Sequence, residues 1–168
     1  MSASDPLAIL KHGHDVGIEK LKLLTEAVSG LDGGSNPAAL ESLKEVFLFF
    51  DGELRIHFRQ EEEVLFPAME RAIGRDGPIA AMLDVHQSLW RAVDSLKDNM
   101  EQFENAADGG LRDISREIKL IGTHIVGLLG SHIEQENGMI LPLAERSLSA
   151  ATLQGVAEGM AGVGRDSG

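Results

Sequence analysis

Residues 57–71 read HFRQEEEVLFPAMER and residues 132–146 read HIEQENGMILPLAER. In each stretch a His precedes a Glu by four positions, a Pro follows that Glu, and Glu-Arg closes the segment. Side chains four apart on a helix share one face, with Cβ atoms about 5–6 Å apart. His57 with Glu61, and His132 with Glu136, can therefore each address a single point. Two further histidines extend the pattern. His14 and His86 each lie eight residues after a Pro that begins a helical period, Pro6 and Pro78. Apolar residues follow them at matching offsets: Ile18, Leu21 and Leu24, then Trp90, Val93 and Leu96. The chain reads as one helix pair written twice, with a lone His in the first helix and His-x-x-x-Glu in the second.

The elements that must position these groups are four amphipathic helices. Asp5-Pro6 and Asn36-Pro37 are N-cap and N1 signals, and Gly77-Pro78 opens a third helix. The first apolar stripe runs Leu7, Leu10, His14, Gly17, Leu21, Leu24, Val28, and the LDGGSNP segment breaks it. The second runs Leu40, Leu43, Phe47, Phe50, Leu54, His57, Glu61, Val64, with Pro67 expected to kink its last turns before Gly74. The third carries Ile79, Met82, His86, Leu89, Val93, Leu96, Met100 and Phe103, up to a turn at 105–110. The fourth carries Leu111, Ile114, Ile118, Ile121, Ile125, Leu128 and His132, with Glu136 beside the seam. Short links between long helices give an all-α, antiparallel up-down-up-down four-helix bundle over residues 1–146. Residues 147–168 read as a short helical extension running into a flexible Gly-rich tail.

Counting from the turns places the polar groups at one height. His86 and His132 lie about 20 and 21 residues from their shared turn, roughly 30 Å at 1.5 Å per residue. The counts for the first pair agree to within a turn. All six side chains thus share a layer in positions otherwise held by Leu, Ile and Phe. A single His on an apolar stripe is ordinary, but two buried carboxylates without a Lys or Arg on the stripes need cations or a raised pKa. Four imidazoles and two carboxylates exceed a tetrahedral zinc site and are not an oxygen cage for calcium or magnesium. Two octahedral first-row ions fit: iron is favoured and manganese is the alternative. With both Glu bridging, two His on each ion and a shared oxo or hydroxo group, a sixth position remains for O2, peroxide or NO.

Composition limits the alternatives. The 168 residues suit one domain, and the 43% hydrophobic and 25% charged content is that of a globular chain. Without Cys, thiol catalysis, disulfides and Cys-ligated clusters are excluded, which is consistent with a cytoplasmic home. A net charge of −12 with no basic patch argues against nucleic acid, and no apolar run or signal-like N-terminus points to a membrane.

The segments LAILKHGHD, HFRQEEEVLFP, MLDVHQSLW and HIEQENGMILP resemble the hemerythrin family, in particular its HHE cation-binding branch, over about residues 5–146. The resemblance implies a non-haem di-iron centre on His14, His57, Glu61, His86, His132 and Glu136. It departs from the oxygen carriers, which use five His and place the last carboxylate at +5; here Trp90 follows His86 at +4 and Glu136 sits at +4. The implied role shifts from O2 carriage toward peroxide or NO turnover, iron sensing and defence against oxidative or nitrosative stress. The alternative expectation is a non-catalytic iron or oxygen sensor or carrier whose metal occupancy controls folding or partner binding.

Several neighbours invite over-reading. His12 falls on the outer face, and His124, two turns from His132, is expected to be a partly buried hydrogen-bonding residue. Glu63 reads as solvated, and so does Glu62 unless it hydrogen-bonds a ligating His. Trp90, Leu54, Leu128 and Ile125 read as core residues that also wall a dry pocket over the ions, and Phe58 is expected to pack between helices.

Overall fold

A computed structural model describes residues 4–31, 36–106 and 109–165. Residues 1–3, 32–35, 107–108 and 166–168 lie outside the described residues, and with them parts of the expected breaks and of the tail. Among the described residues there are five helices: α1 Pro6–Ser29, α2 over 37–73, α3 Pro78–Asn105, α4 over 111–147, and α5 Ala150–Arg165. The first four form the up-down-up-down bundle. Among the described residues no helix is long and apolar enough to cross a membrane.

The helix starts follow the sequence signals. Asp5 Oδ1 accepts the Leu7 N–H and Asn36 Oδ1 accepts the Ala39 N–H, each ahead of a Pro whose missing N–H costs nothing at that position. α1 packs on α2 and α4, and α3 packs on α4. The α2–α3 side is closed by side chains, including Arg55 over the Trp90 ring at 4.5 Å.

Pro67 and Pro142 do not simply kink their helices. Each is preceded by a π-helical turn, Glu61–Leu65 and Glu136–Ile140. The Phe66 N–H bonds back to the Glu61 carbonyl, and the Leu141 N–H to that of Glu136. A proline ring would press on the carbonyl four residues back, and the wider turn relieves that contact. Both metal-type carboxylates therefore sit at the first position of a widened turn. A third such turn, Phe50–Leu54, rotates the stripe of α2. Leu40 and Phe47, expected in the core, are half-buried, while Ala39, Val46 and Phe49 are buried.

The apolar interior is in two blocks. One, including Leu24, Leu43, Phe50, Val93, Leu96, Ile118 and Ile125, fills the end nearest the α1–α2 and α3–α4 turns. The other, including Leu10, Leu65, Phe66, Met69, Ile79, Met82 and Ile140, fills the opposite end. At about 1.5–3 kcal/mol for each fully buried large side chain, these blocks supply the driving force for folding. The His and Glu layer lies between them.

The Gly-rich extension is more regular than its composition suggests. α5 is a 16-residue helix whose Val156 and Met160 enter the second block. It lies against α1 and the part of α2 around Gln60, whose Nε2 donates to the Met160 carbonyl at 3.3 Å. A Cβ at Gly159 would come within 2.8 Å of Val64 Cγ1, so glycine allows this close approach.

Candidate metal centre

The structure brings all six expected side chains together. His14, His86 and His132 are each no more than 2% exposed and Glu61 and Glu136 are fully buried; His57 is the half-buried member. The four histidines come from α1, α2, α3 and α4 in turn, and the two carboxylates from α2 and α4. His57 Nε2 lies 2.9 Å from Glu61 Oε1, and His132 Nε2 lies 2.7 Å from Glu136 Oε1, as the four-residue spacing requires. Each carboxylate also meets the lone His of the other half. His14 Nε2 is 2.7 Å from Glu136 Oε2, and His86 Nε2 is 3.2 Å from Glu61 Oε2.

Two overlapping groups result: His14, His57, Glu61 and Glu136, and Glu61, His86, His132 and Glu136. Within each group the donor atoms lie within 4.8 Å of one another, and both groups share the two carboxylates. The electrostatics follow from that crowding. Burial pulls the His14 imidazole down, but Glu136 and Glu61, with Asn137, overcome it and hold its pKa up at about 10. His86 is likewise lowered by burial yet held at about 9 by Glu61 and Glu62. Burial pushes Glu61 up, but the charge of His57 and contacts from His14, His57 and His86 keep it well below the usual carboxylate range.

The donor set fits cations better than protons. Both oxygens of Glu61 and Oε1 of Glu136 are buried near imidazole nitrogens, yet none has a partner in hydrogen-bond geometry. His86 Nε2 and His132 Nε2 face each other at 3.0 Å, two atoms that would both serve as ligands. Buried lone pairs aimed at common points, with imidazoles rather than Lys or Arg opposite them, are what metal ions satisfy.

The surroundings include groups that the sequence did not single out. His14 Nδ1 donates to Asn137 Oδ1 at 2.7 Å. Glu62 does hydrogen-bond a site histidine, accepting from His86 Nδ1 at 2.6 Å. Phe58 is more than interhelical packing: its ring stacks on His86 at 3.7 Å and 4°. Gly13 lies against His57, where a Cβ would fall 2.6 Å from Nδ1.

Two cavities flank the layer at equivalent places in the repeat. One of ≈ 240 Å³, between α1 and α2, is lined by His57, Gly13 and Leu54. The other, ≈ 510 Å³ between α3 and α4, is lined by His132 and Leu128. Leu54 and Leu128 thus wall openings beside the layer. Ile125 is core, and Trp90 packs edge-on against Phe58 at 5.5 Å. His12 is exposed, as its phase on the helix requires. His124 is exposed too, contrary to the expectation of partial burial, because Ile125 and Leu129 take the core-facing phase of α4.

Comparison with known proteins agrees with this geometry. The hemerythrin HHE cation binding domain matches residues 5–144. The iron-sulfur cluster repair protein DnrN of Neisseria gonorrhoeae is 27% identical over 129 residues, covering 76% of this chain and 79% of the relative. The iron-sulfur cluster repair protein YtfE of Yersinia pestis (strain Pestoides F) is 27% identical over 135 residues, 79% of this chain and 60% of the relative. The chain therefore spans under two thirds of that relative's length. A match over nearly the whole chain, on a bundle that gathers four His and two Glu in its interior, makes it a member of the hemerythrin HHE cation-binding domain family.

Proposed function

We propose that the chain holds two iron ions and serves in stress defence by engaging O2, peroxide or NO at that centre. The observation that carries this reading is the pair of four-residue groups sharing Glu61 and Glu136. His14 and His57 would hold one ion, His86 and His132 the other, and the two carboxylates both. The family's cation-binding character and relatives named for iron-sulfur cluster repair support iron and the stress role. Iron in this setting would supply a redox-active Lewis acid with coordination positions left for a small ligand.

The chain's own residues set the conditions for that chemistry. Glu61 and Glu136 neutralise the positive charge brought into the interior, and the apolar blocks above and below keep bulk water from the layer. Asn137 and Glu62 fix the Nδ1 side of His14 and His86, so each Nε2 faces inward. The openings beside His57 and His132 would give a small ligand a route to the layer. Iron-loaded protein should absorb in the near ultraviolet, and the spectrum should change on adding azide, peroxide or NO. An inert spectrum with no peroxide consumption would remove the ligand-binding part of the proposal.

A second reading, an iron sensor, draws on one contact. α5 packs against the π-turn that begins at Glu61, so occupancy of the layer could be felt at the helix that closes the bundle. Hydrogen exchange of α5 that slows on iron loading would favour it; unchanged exchange would not.

A further inference from the structure

The repeat is not symmetric in one chemically important respect. The residue after each shared carboxylate reaches across the bundle to the lone histidine of the other half. Glu62 follows Glu61 and accepts from His86 Nδ1 at 2.6 Å; Asn137 follows Glu136 and accepts from His14 Nδ1 at 2.7 Å. Both π-turns begin at the preceding Glu, so the two acceptors occupy equivalent positions. Hydrogen-bond geometry is therefore matched and charge is not: one acceptor is the carboxylate of an exposed residue, the other the neutral amide of a half-buried one.

A carboxylate on Nδ1–H pulls the proton toward itself and makes the imidazole a stronger electron donor at Nε2. An amide oxygen orients the ring with much less of that effect, since hydrogen bonds with an ionised partner are about twice as strong. His86 is also held rigidly, with Phe58 stacked on its face and Phe66 at 5.9 Å, so its ring cannot turn away from Glu62. His132, which shares the His86 side, has a buried Nδ1 with no hydrogen-bond partner, so no second carboxylate acts on that side through its ring.

We infer that Glu62 and Asn137 are positioning residues that make the two ion positions electronically unequal. The ion on His86 and His132 is biased toward the ferric state, and the ion on His14 and His57 toward the ferrous state. A half-reduced centre then carries its electron on the α1–α2 side. This inference rests on the two-iron reading. Each step is a one-electron reduction, ferric iron plus one electron giving ferrous iron, with the electron supplied by an electrode through a soluble mediator.

The test is a spectroelectrochemical titration of the iron-loaded parent, Glu62→Gln and Asn137→Asp, with iron counted and melting followed for each. Two separated one-electron steps are expected for the parent. Glu62→Gln should raise the lower potential and narrow the gap, by about 59 mV for each tenfold of ferric preference removed. Asn137→Asp should lower the higher potential and also narrow the gap. A purely structural role for the dyads would change melting and leave the gap alone. Asn137→Asp, which adds a carboxylate, decides the matter if Glu62→Gln does not retain iron. Two bound irons with an unchanged gap in the variants overturn this inference alone. Fewer than two irons in the parent overturn the two-iron reading and this inference with it.

Discussion

Gly13→Ala probes the centre without substituting any of the six residues. The added Cβ would lie 2.6 Å from His57 Nδ1 and 3.1 Å from Cε1. Carbon in contact prefers about 3.5–4.0 Å, so the ring must retreat by roughly 1 Å. The ≈ 240 Å³ cavity beside His57 leaves the ring room to yield. In the metal-free chain two effects oppose. Alanine in mid-helix gains about 0.5–1 kcal/mol over glycine, and the displaced ring forfeits a comparable amount, so melting should move little. In the loaded chain, the ion proposed to sit on His14 and His57 would lose a correctly placed donor. Even a lost outer-shell partner weakens metal binding by about 10–100-fold, so the loss here should be at least about 1.4–2.7 kcal/mol at that position. Iron titration should show one tight equivalent and one weakened equivalent, with near-parental melting before loading. Two equivalents at parental affinity would refute the placement of His57 as a donor.

Other consequences follow from the charges and the packing. In the metal-free chain, stabilisation from His14 and His86 is complete below their ordinary value of 6.5 and is lost as pH rises through about 9 and about 10. That from Glu61, whose folded pKa is lowered, is present above its ordinary 4.5 and is lost as pH falls through the folded value. Both imidazoles therefore carry a proton at pH 7, and loading should expel about two protons and tighten between pH 7 and 9. Calorimetry in buffers of different ionisation enthalpy reads this; pH-independent uptake without proton release would contradict it. Met160→Ala removes a side chain only 1% exposed and should cost about 2–5 kcal/mol in denaturant melts while leaving the iron count unchanged. A loss of less than about 0.5 kcal/mol would mean that α5 is not part of the cooperative unit.

Much of the site was legible because it is periodic. His57 with Glu61 and His132 with Glu136 repeat at helical spacing, and Pro6 and Pro78 set His14 and His86 at equal depth. What escaped depends on departures from the period. The π-turns add no residue type of their own; their trace is a Pro six positions after each Glu, which reads equally well as a kink. From those turns Glu62, already a candidate partner for a ligating His, and Asn137, which carried no signal, reach the Nδ1 atoms of His86 and His14; a strict α-helical wheel does not place consecutive residues on one face. Gly13 carries no signal of its own in the sequence, and only the approach of His57 gives it a role. The burial of α5 depends on Val156 and Met160 meeting a distant surface, information absent from a local run of glycines.

The central claim is that two buried carboxylates and four imidazoles are gathered in an apolar interior to share a pair of cations, which replace the protons that His14 and His86 hold in the metal-free chain. Counting iron in anaerobically loaded, desalted protein, beside Glu61→Gln, tests this most directly. The account predicts two irons per chain in the parent and neither held tightly once the shared Glu61 carboxylate is neutralised. One iron or none in the parent, or two still bound after the substitution, would contradict it.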